Sequence, residues 1–182
     1  DAANGRLLRT VKTGHQRPQE LVFSGDGQTF AVRGTGVVVD LHDTATGTRR
    51  KTLTLPGERI QKIALGQDAG LLAVIAGARG PVQGGLQLSL LETSTGTVRW
   101  QRRAQNFTSV LIHPEGRRVI ASSGGGSRFC WIYDAADVRE ISKHAIYAMW
   151  QALHPEGKLI AIGSLQGEIM LVNTLTGAVV QQ

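Results

Sequence analysis

The chain has 182 residues, 41% hydrophobic and 19% charged, with 23 Gly and 5 Pro. That is enough apolar material for one core-bearing domain, and too few charged helix formers for a long-helix protein. No apolar run approaches the roughly 18 residues of a membrane helix, the opening DAANGRLLRT lacks the apolar core of a signal peptide, and one cysteine, Cys130, excludes a disulfide-stapled scaffold. The formal charge of +6 lies in residues 1–103, which hold 14 basic and 8 acidic side chains against 6 and 6 in 104–182. A one-sided excess draws acidic partners or nucleic acid, but no aromatics are interleaved with it, which favours solvated surface. A start at Asp1 rather than Met predicts a processed or excised piece. The Arg-heavy, Ala/Gly-rich composition predicts a bacterium with a GC-rich genome, and a cytoplasmic location is expected.

Taken in chain order, the predicted strands repeat. Residues 6–11 read as a lone strand behind the turn DAANG. Four units follow, at 21–55, 60–103, 107–143 and 150–182. Each opens with a short apolar strand and a tight turn: LVFSGDG, IALGQDAG, VLIHPEG, ALHPEG. The turn glycines Gly27, Gly70, Gly116 and Gly157 are 43, 46 and 41 residues apart. A second turn closes each unit (DTATG, ETSTG, DAADV, NTLTG), ending at Gly47, Gly96, Val138 and Gly177, with spacings of 49, 42 and 39. DAANG matches this second series. In the last unit, MWQAL, KLIAIGS, EIMLVN and AVVQQ read as four strands, the middle two apolar and β-branched as in a buried sheet stack. No segment keeps a 3.6-residue apolar period. The expected class is all-β: a β-propeller of four-stranded antiparallel blades, about four of them, plus one outer strand of a preceding blade. The blade boundaries are 15–55, 56–103, 104–143 and 144–182, with 1–14 as outer strand and linker.

The unit HPEG–KLIAIGSLQGEIMLVNTLTG resembles a WD-repeat β-propeller blade, and DLHDTATGTRRKTL and DAANGRLLRTVKTGH are similar to that family's third-turn-fourth region and linker. The resemblance covers essentially the whole chain. The Trp-Asp pair of the family stands here as His42-Asp43, Leu91-Glu92, Tyr133-Asp134 and Val172-Asn173, and its Gly-His dipeptide survives only at Gly14-His15. The family's buried tetrad of His, Ser/Thr, Asp and Trp is therefore complete in no blade, which shifts stability onto apolar packing. TSTGTVRWQ is also similar to quinoprotein-type propellers, the alternative family. Propellers of this kind close with more than four blades, so the resemblance implies a piece of a larger propeller, or a half that pairs with a second copy. It also implies a protein–protein interaction scaffold.

Little in the chain carries chemistry. His113 and His154 precede Pro-Glu at matching turns of adjacent units, too far apart around a ring to share a metal. His15 is expected to bond into a blade, and His42 to pack. The stretch at 122–129, SSGGGSRF, is followed by a strand rather than a helix, so it is a hairpin loop and not a phosphate cradle, and GARGPVQGG at 77–85 is an enlarged loop. Cys130 is a small buried hydrophobe. No paired carboxylates or nucleophile–base sets appear, so neither catalysis nor a cofactor nor a metal is expected. One rim carries a pattern: inter-blade linkers bring Arg17, Arg59, Phe107 and Tyr147, and inner loops bring Arg33, Arg79, Arg128 and Gln166. Arg grips carboxylate or phosphate with a planar fork, and aromatics supply contact area. The expected partner is a protein, through an acidic or phosphorylated segment, with no membrane role. Nucleic-acid binding is the lesser alternative.

Overall fold

Strands covered by a sheet on each face read as near-continuous apolar runs, and strands covered on one face alternate. The computed structural model describes residues 3–55, 59–77, 85–104, 106–124 and 128–181, and the second strands of the first three sheets are buried along nearly their whole length while the outer strands are largely exposed. Sixteen strands form four antiparallel sheets of four, each a meander in sequence order among the described residues. The first holds β1 (Glu20–Phe23), β2 (Thr29–Arg33), β3 (Val38–Asp43) and β4 (Arg49–Thr54). The second holds β5 (Ile60–Leu65), β6 (Leu71–Ala76), β7 (Leu86–Glu92) and β8 (Val98–Ala104). The third holds β9 (Phe107–Ile112), β10 (Arg118–Ser123), β11 (Cys130–Asp134) and β12 (Glu140–His144). The fourth holds β13 (Ala148–Leu153), β14 (Leu159–Ser164), β15 (Ile169–Asn173) and β16 (Val179–Gln181). No helix of the described structure is long and apolar enough to cross a membrane.

The first strands β1, β5, β9 and β13 lie against one another in order, and three apolar layers separate the four sheets. Leu72 and Val74 of β6 pack with Val39, Leu41 and Leu53 of the first sheet. The alternate residues Ala73 and Ile75 turn the other way, toward Val110, Val119 and Trp131 of the third. Ile120 and Ile132 join Ile160, Ile162 and Val172 between the third and fourth sheets. Polar pins cross the same seams: Trp100 Nε1 donates to the Ala135 carbonyl (2.9 Å), and His113 Nε2 lies 3.0 Å from the Gly157 carbonyl. A Cβ on Gly157 would come 2.4 Å from that His113 nitrogen, so the turn carries glycine where the ring must pass.

Several local readings differ from the structure. In the second unit, Ala69 rather than Gly70 takes the left-handed backbone conformation (φ 59°) matching Gly27, Gly116 and Gly157. Residues 6–11 form no strand. Arg79, with most of the loop at 77–85 and residues 125–127 of the loop at 122–129, lies outside the described residues. His15 Nε2 sits 3.2 Å from Asp40 Oδ2, at ion-pair distance though not aligned for a hydrogen bond. His42 is buried and stacked on Phe30, ring centroids 5.0 Å apart. Cys130 is free and buried, and burial pushes its thiol pKa up, away from reactivity.

Candidate functional site

Each linker runs past the loop that joins the second and third strands of the sheet it leads into. The Arg17 carbonyl lies beside Gly34, Gly77 N donates to the Arg59 carbonyl (3.0 Å), and Gly124 N donates to the Asn106 carbonyl (3.1 Å). Linkers and inner loops are thus neighbours sheet after sheet, and the anticipated site residues can be placed individually.

Two of them leave the surface. Arg33, expected in an inner loop, is the last residue of β2 and 6% exposed. Its Nε donates to Glu20 Oε2 (2.8 Å), its Nη1 to the Ile60 carbonyl (3.2 Å), and its Nη2 to the Gln61 carbonyl. Glu20 also accepts from the backbone N–H of Ile63 (3.1 Å) and faces Lys62 Nζ at 3.4 Å. Nε holds Glu20 of the same sheet while Nη1 and Nη2 bind the first sheet to the second, so Arg33 is a structural pin and not a rim contact. Phe107 opens β9 at 3% exposure, its ring edge-on to Trp131 with centroids 5.7 Å apart, so it belongs to the core. Arg17 and Arg59 are exposed, and neither is among the residues lining the cavity described next.

Arg128, Tyr147 and Gln166 do come together. They line an open cavity of about 450 Å³ with Phe129, Ile146 and Glu168, where the strand following the Gly-rich loop meets the linker into the fourth sheet. The Arg128 guanidinium carbon lies 5.4 Å from the Tyr147 ring centroid. Lys143 Nζ sits 3.8 Å from the Phe129 ring centroid. Glu168, in the loop between β14 and β15, turns back on that loop, with Ser164 Oγ donating to Oε2 (3.3 Å). A guanidinium lying over an aromatic face keeps its N–H edge available to a carboxylate or phosphate. Phe129 and Lys143 were not singled out in the sequence. The Lys143 side chain, the fourth residue of the outer strand β12, carries no signal that it folds over the ring of Phe129, in the loop just before β11. Among the described residues no cluster of three His, Cys, Asp or Glu could hold a metal ion.

No protein-family model matches the chain. It is 31% identical over 81 residues to the probable U3 small nucleolar RNA-associated protein 18 of Schizosaccharomyces pombe, over 41% of this chain and 16% of that protein. Among solved structures, the Cps50 (Swd1) β-propeller domain of Myceliophteria thermophila is similar with a TM-score of 0.71 at 14% identity, covering 97% of this chain and 57% of that one. Kuenenia stuttgartiensis hydrazine synthase gives 0.69 at 16%, covering 97% and 52%. A chain of the mitotic checkpoint complex gives 0.69 at 17%, covering 90% and 50%. At such identities the likeness speaks to fold alone: an all-β, propeller-like arrangement of four-stranded sheets. The chain spans about half the length of these solved chains.

Proposed function

We propose that this chain is a non-catalytic section of a larger propeller that serves as a protein–protein interaction scaffold, and that the cavity between the third and fourth sheets takes an acidic or phosphorylated segment of a partner. The observation that carries the reading is Arg128 laid over Tyr147 in a cavity open to solvent. A guanidinium with one face against a ring loses little side-chain entropy when its N–H edge donates to an anion. Glu168 also lines the cavity and disfavours a second acidic group beside it, so the ligand's anion belongs on Arg128. The test is an array of acidic and phosphoserine peptides probed with the chain. Arg128→Glu should abolish the peptides the unaltered chain retains, whereas Arg17→Glu should leave them bound. Retention unchanged by Arg128→Glu sinks the reading.

A second reading, nucleic-acid binding, is favoured by the runs Arg49-Arg50-Lys51 and Arg102-Arg103 on the outer strands β4 and β8, and by the name of the S. pombe relative. Part of that charge is neutralised locally, since Arg49 pairs with Asp40 and Arg50 with Asp43. RNA binding whose affinity falls steeply with salt would favour this second reading, and salt-insensitive or absent binding would remove it.

A further inference from the structure

The cavity between the third and fourth sheets carries two opposite charges that do not meet. Arg128 and Glu168 both line it, yet neither takes part in an ion pair among the described residues. Elsewhere on the same two sheets such groups do close, Arg118 on Asp134 at 3.1 Å and Lys158 on Glu156 at 2.7 Å. Each cavity charge is instead held by its own surroundings. Ile146 N donates to the His144 carbonyl (3.0 Å) and Ala148 N to the Ile146 carbonyl (2.8 Å), two successive three-residue turns that fix the linker around Tyr147. The Tyr147 ring in turn lies against the Arg128 guanidinium. The β14–β15 loop closes on Ser164, whose N donates to the Glu168 carbonyl (2.9 Å). Ser164 Oγ accepts from the N–H groups of Gln166 and Glu168 (both 3.2 Å) and donates to Glu168 Oε2 (3.3 Å).

A fixed cation and a fixed anion in one open cavity discriminate by sign. A segment that is only acidic is repelled at Glu168, and one that is only basic is repelled at Arg128. A segment with one charge of each sign satisfies both. In an extended chain, residues i and i+2 project from the same face about 7 Å apart, a spacing within the span of a cavity of about 450 Å³. Phe129 and Ile146 line the same space and offer apolar cover to the methylene stems of long charged side chains.

We infer that the cavity selects a segment of mixed charge: an extended stretch of the partner with Asp or Glu on Arg128 and, two residues away, Lys or Arg on Glu168. The inference rests on the reading of this cavity as a site for an acidic segment, and adds the second charge and its spacing. The probes are alanine-based peptides carrying Glu-Ala-Lys, Lys-Ala-Glu, Glu-Ala-Ala or Glu-Ala-Glu, and dissociation constants come from chemical-shift titration of the Gln166 and Glu168 amides. The better of the two mixed orders should bind roughly two- to fivefold more tightly than Glu-Ala-Ala, the size of an exposed ion pair, and Glu-Ala-Glu should bind more weakly than either. Glu168→Lys should exchange the ends of this ranking, with Glu-Ala-Glu becoming the tightest, a gain that misfolding cannot produce. An identical ranking by the parent and Glu168→Lys overturns the inference. If Arg128→Glu still abolishes binding in that case, the acidic-segment reading survives without it. If no peptide shifts these amides in the parent, or if Arg128→Glu leaves every constant unchanged, both fall together.

Discussion

Val138 holds φ 60° in the closing turn of the third sheet, where its counterparts are Gly47, Gly96 and Gly177. A β-branched residue in that conformation is strained by roughly 1–2 kcal/mol. Glycine relieves the strain and gives back part of the gain to unfolded-chain entropy. Val138→Gly should therefore raise stability by about 1 kcal/mol, read as a higher urea midpoint at unchanged slope. Val138→Ala keeps the strained backbone, trims the contact with the layer around Tyr133, and should lower the midpoint. If glycine lowers it too, packing outweighs strain here. His144 gives a residue-scale pH effect. Burial pushes its pKa below the ordinary 6.5, while a backbone hydrogen bond with Gly177 pulls weakly the other way. The folded state thus holds the ring neutral while the unfolded chain takes up a proton below about pH 6.5. The His144 contribution is intact above that pH and declines from there down to the lower folded pKa. His144→Gln should lose stability less steeply than the parent between pH 7.5 and 5.5, by urea midpoints at both. Parallel declines would mean that other groups set the acid limb.

Between elements, the seam joining the first two sheets turns on Arg33 and Glu20. Both sit at the β1–β2 end that abuts β5, and the register pairs Glu20 directly with Arg33. Removing one partner of such a pair leaves a buried charge and costs about 3 kcal/mol or more, whereas replacing both with apolar residues recovers much of the loss. Arg33→Met should cost that much in chemical denaturation, and Arg33→Met with Glu20→Met should be markedly more stable than the single variant. Equal losses would mean that the carbonyls of Ile60 and Gln61, rather than Glu20, are what Arg33 serves. The same residue shows where sequence reading stops. The two turn series located the sheets because turn chemistry is local: Asp43 accepts from Thr46 N (2.7 Å) and Thr46 Oγ1 (2.8 Å), contacts that with Arg50 hold its pKa down to about 2. Whether Arg33 ends a strand or begins a loop, and whether Phe107 points to solvent or to Trp131, depends on a neighbouring sheet that no local pattern encodes. Arg128, Tyr147 and Gln166 were legible because linker and loop positions recur with the period, and the Lys143–Phe129 contact was not, because it is a long-range choice of rotamer.

At the scale of the molecule, one interior pattern ends on an open face. The registers place Leu88 opposite Ile75 and Ile169 opposite Gly163, at corresponding points of the second and fourth sheets. Leu88 is 0% exposed against the third sheet, while Ile169 is 64% and Trp150 60% exposed on the outward face of the fourth. The fourth sheet thus carries the apolar alternation of an inner sheet with nothing packed over it among the described residues. His113 Nε2 reaches the Gly157 carbonyl across the third seam while its Nδ1 accepts from Glu115 N (3.1 Å). His154 repeats the second contact, with Nδ1 accepting from Glu156 N (3.2 Å), and its ring is exposed. A face in water gains nothing from being apolar, and exposed apolar patches of this kind drive association. Ile169→Lys should therefore change the stability of this chain by no more than about 0.5 kcal/mol while lowering its concentration-dependent mass in light scattering. Leu88→Lys, at the equivalent buried point, should prevent folding. If Ile169→Lys is as damaging as Leu88→Lys, the outward face of the fourth sheet is already covered in solution.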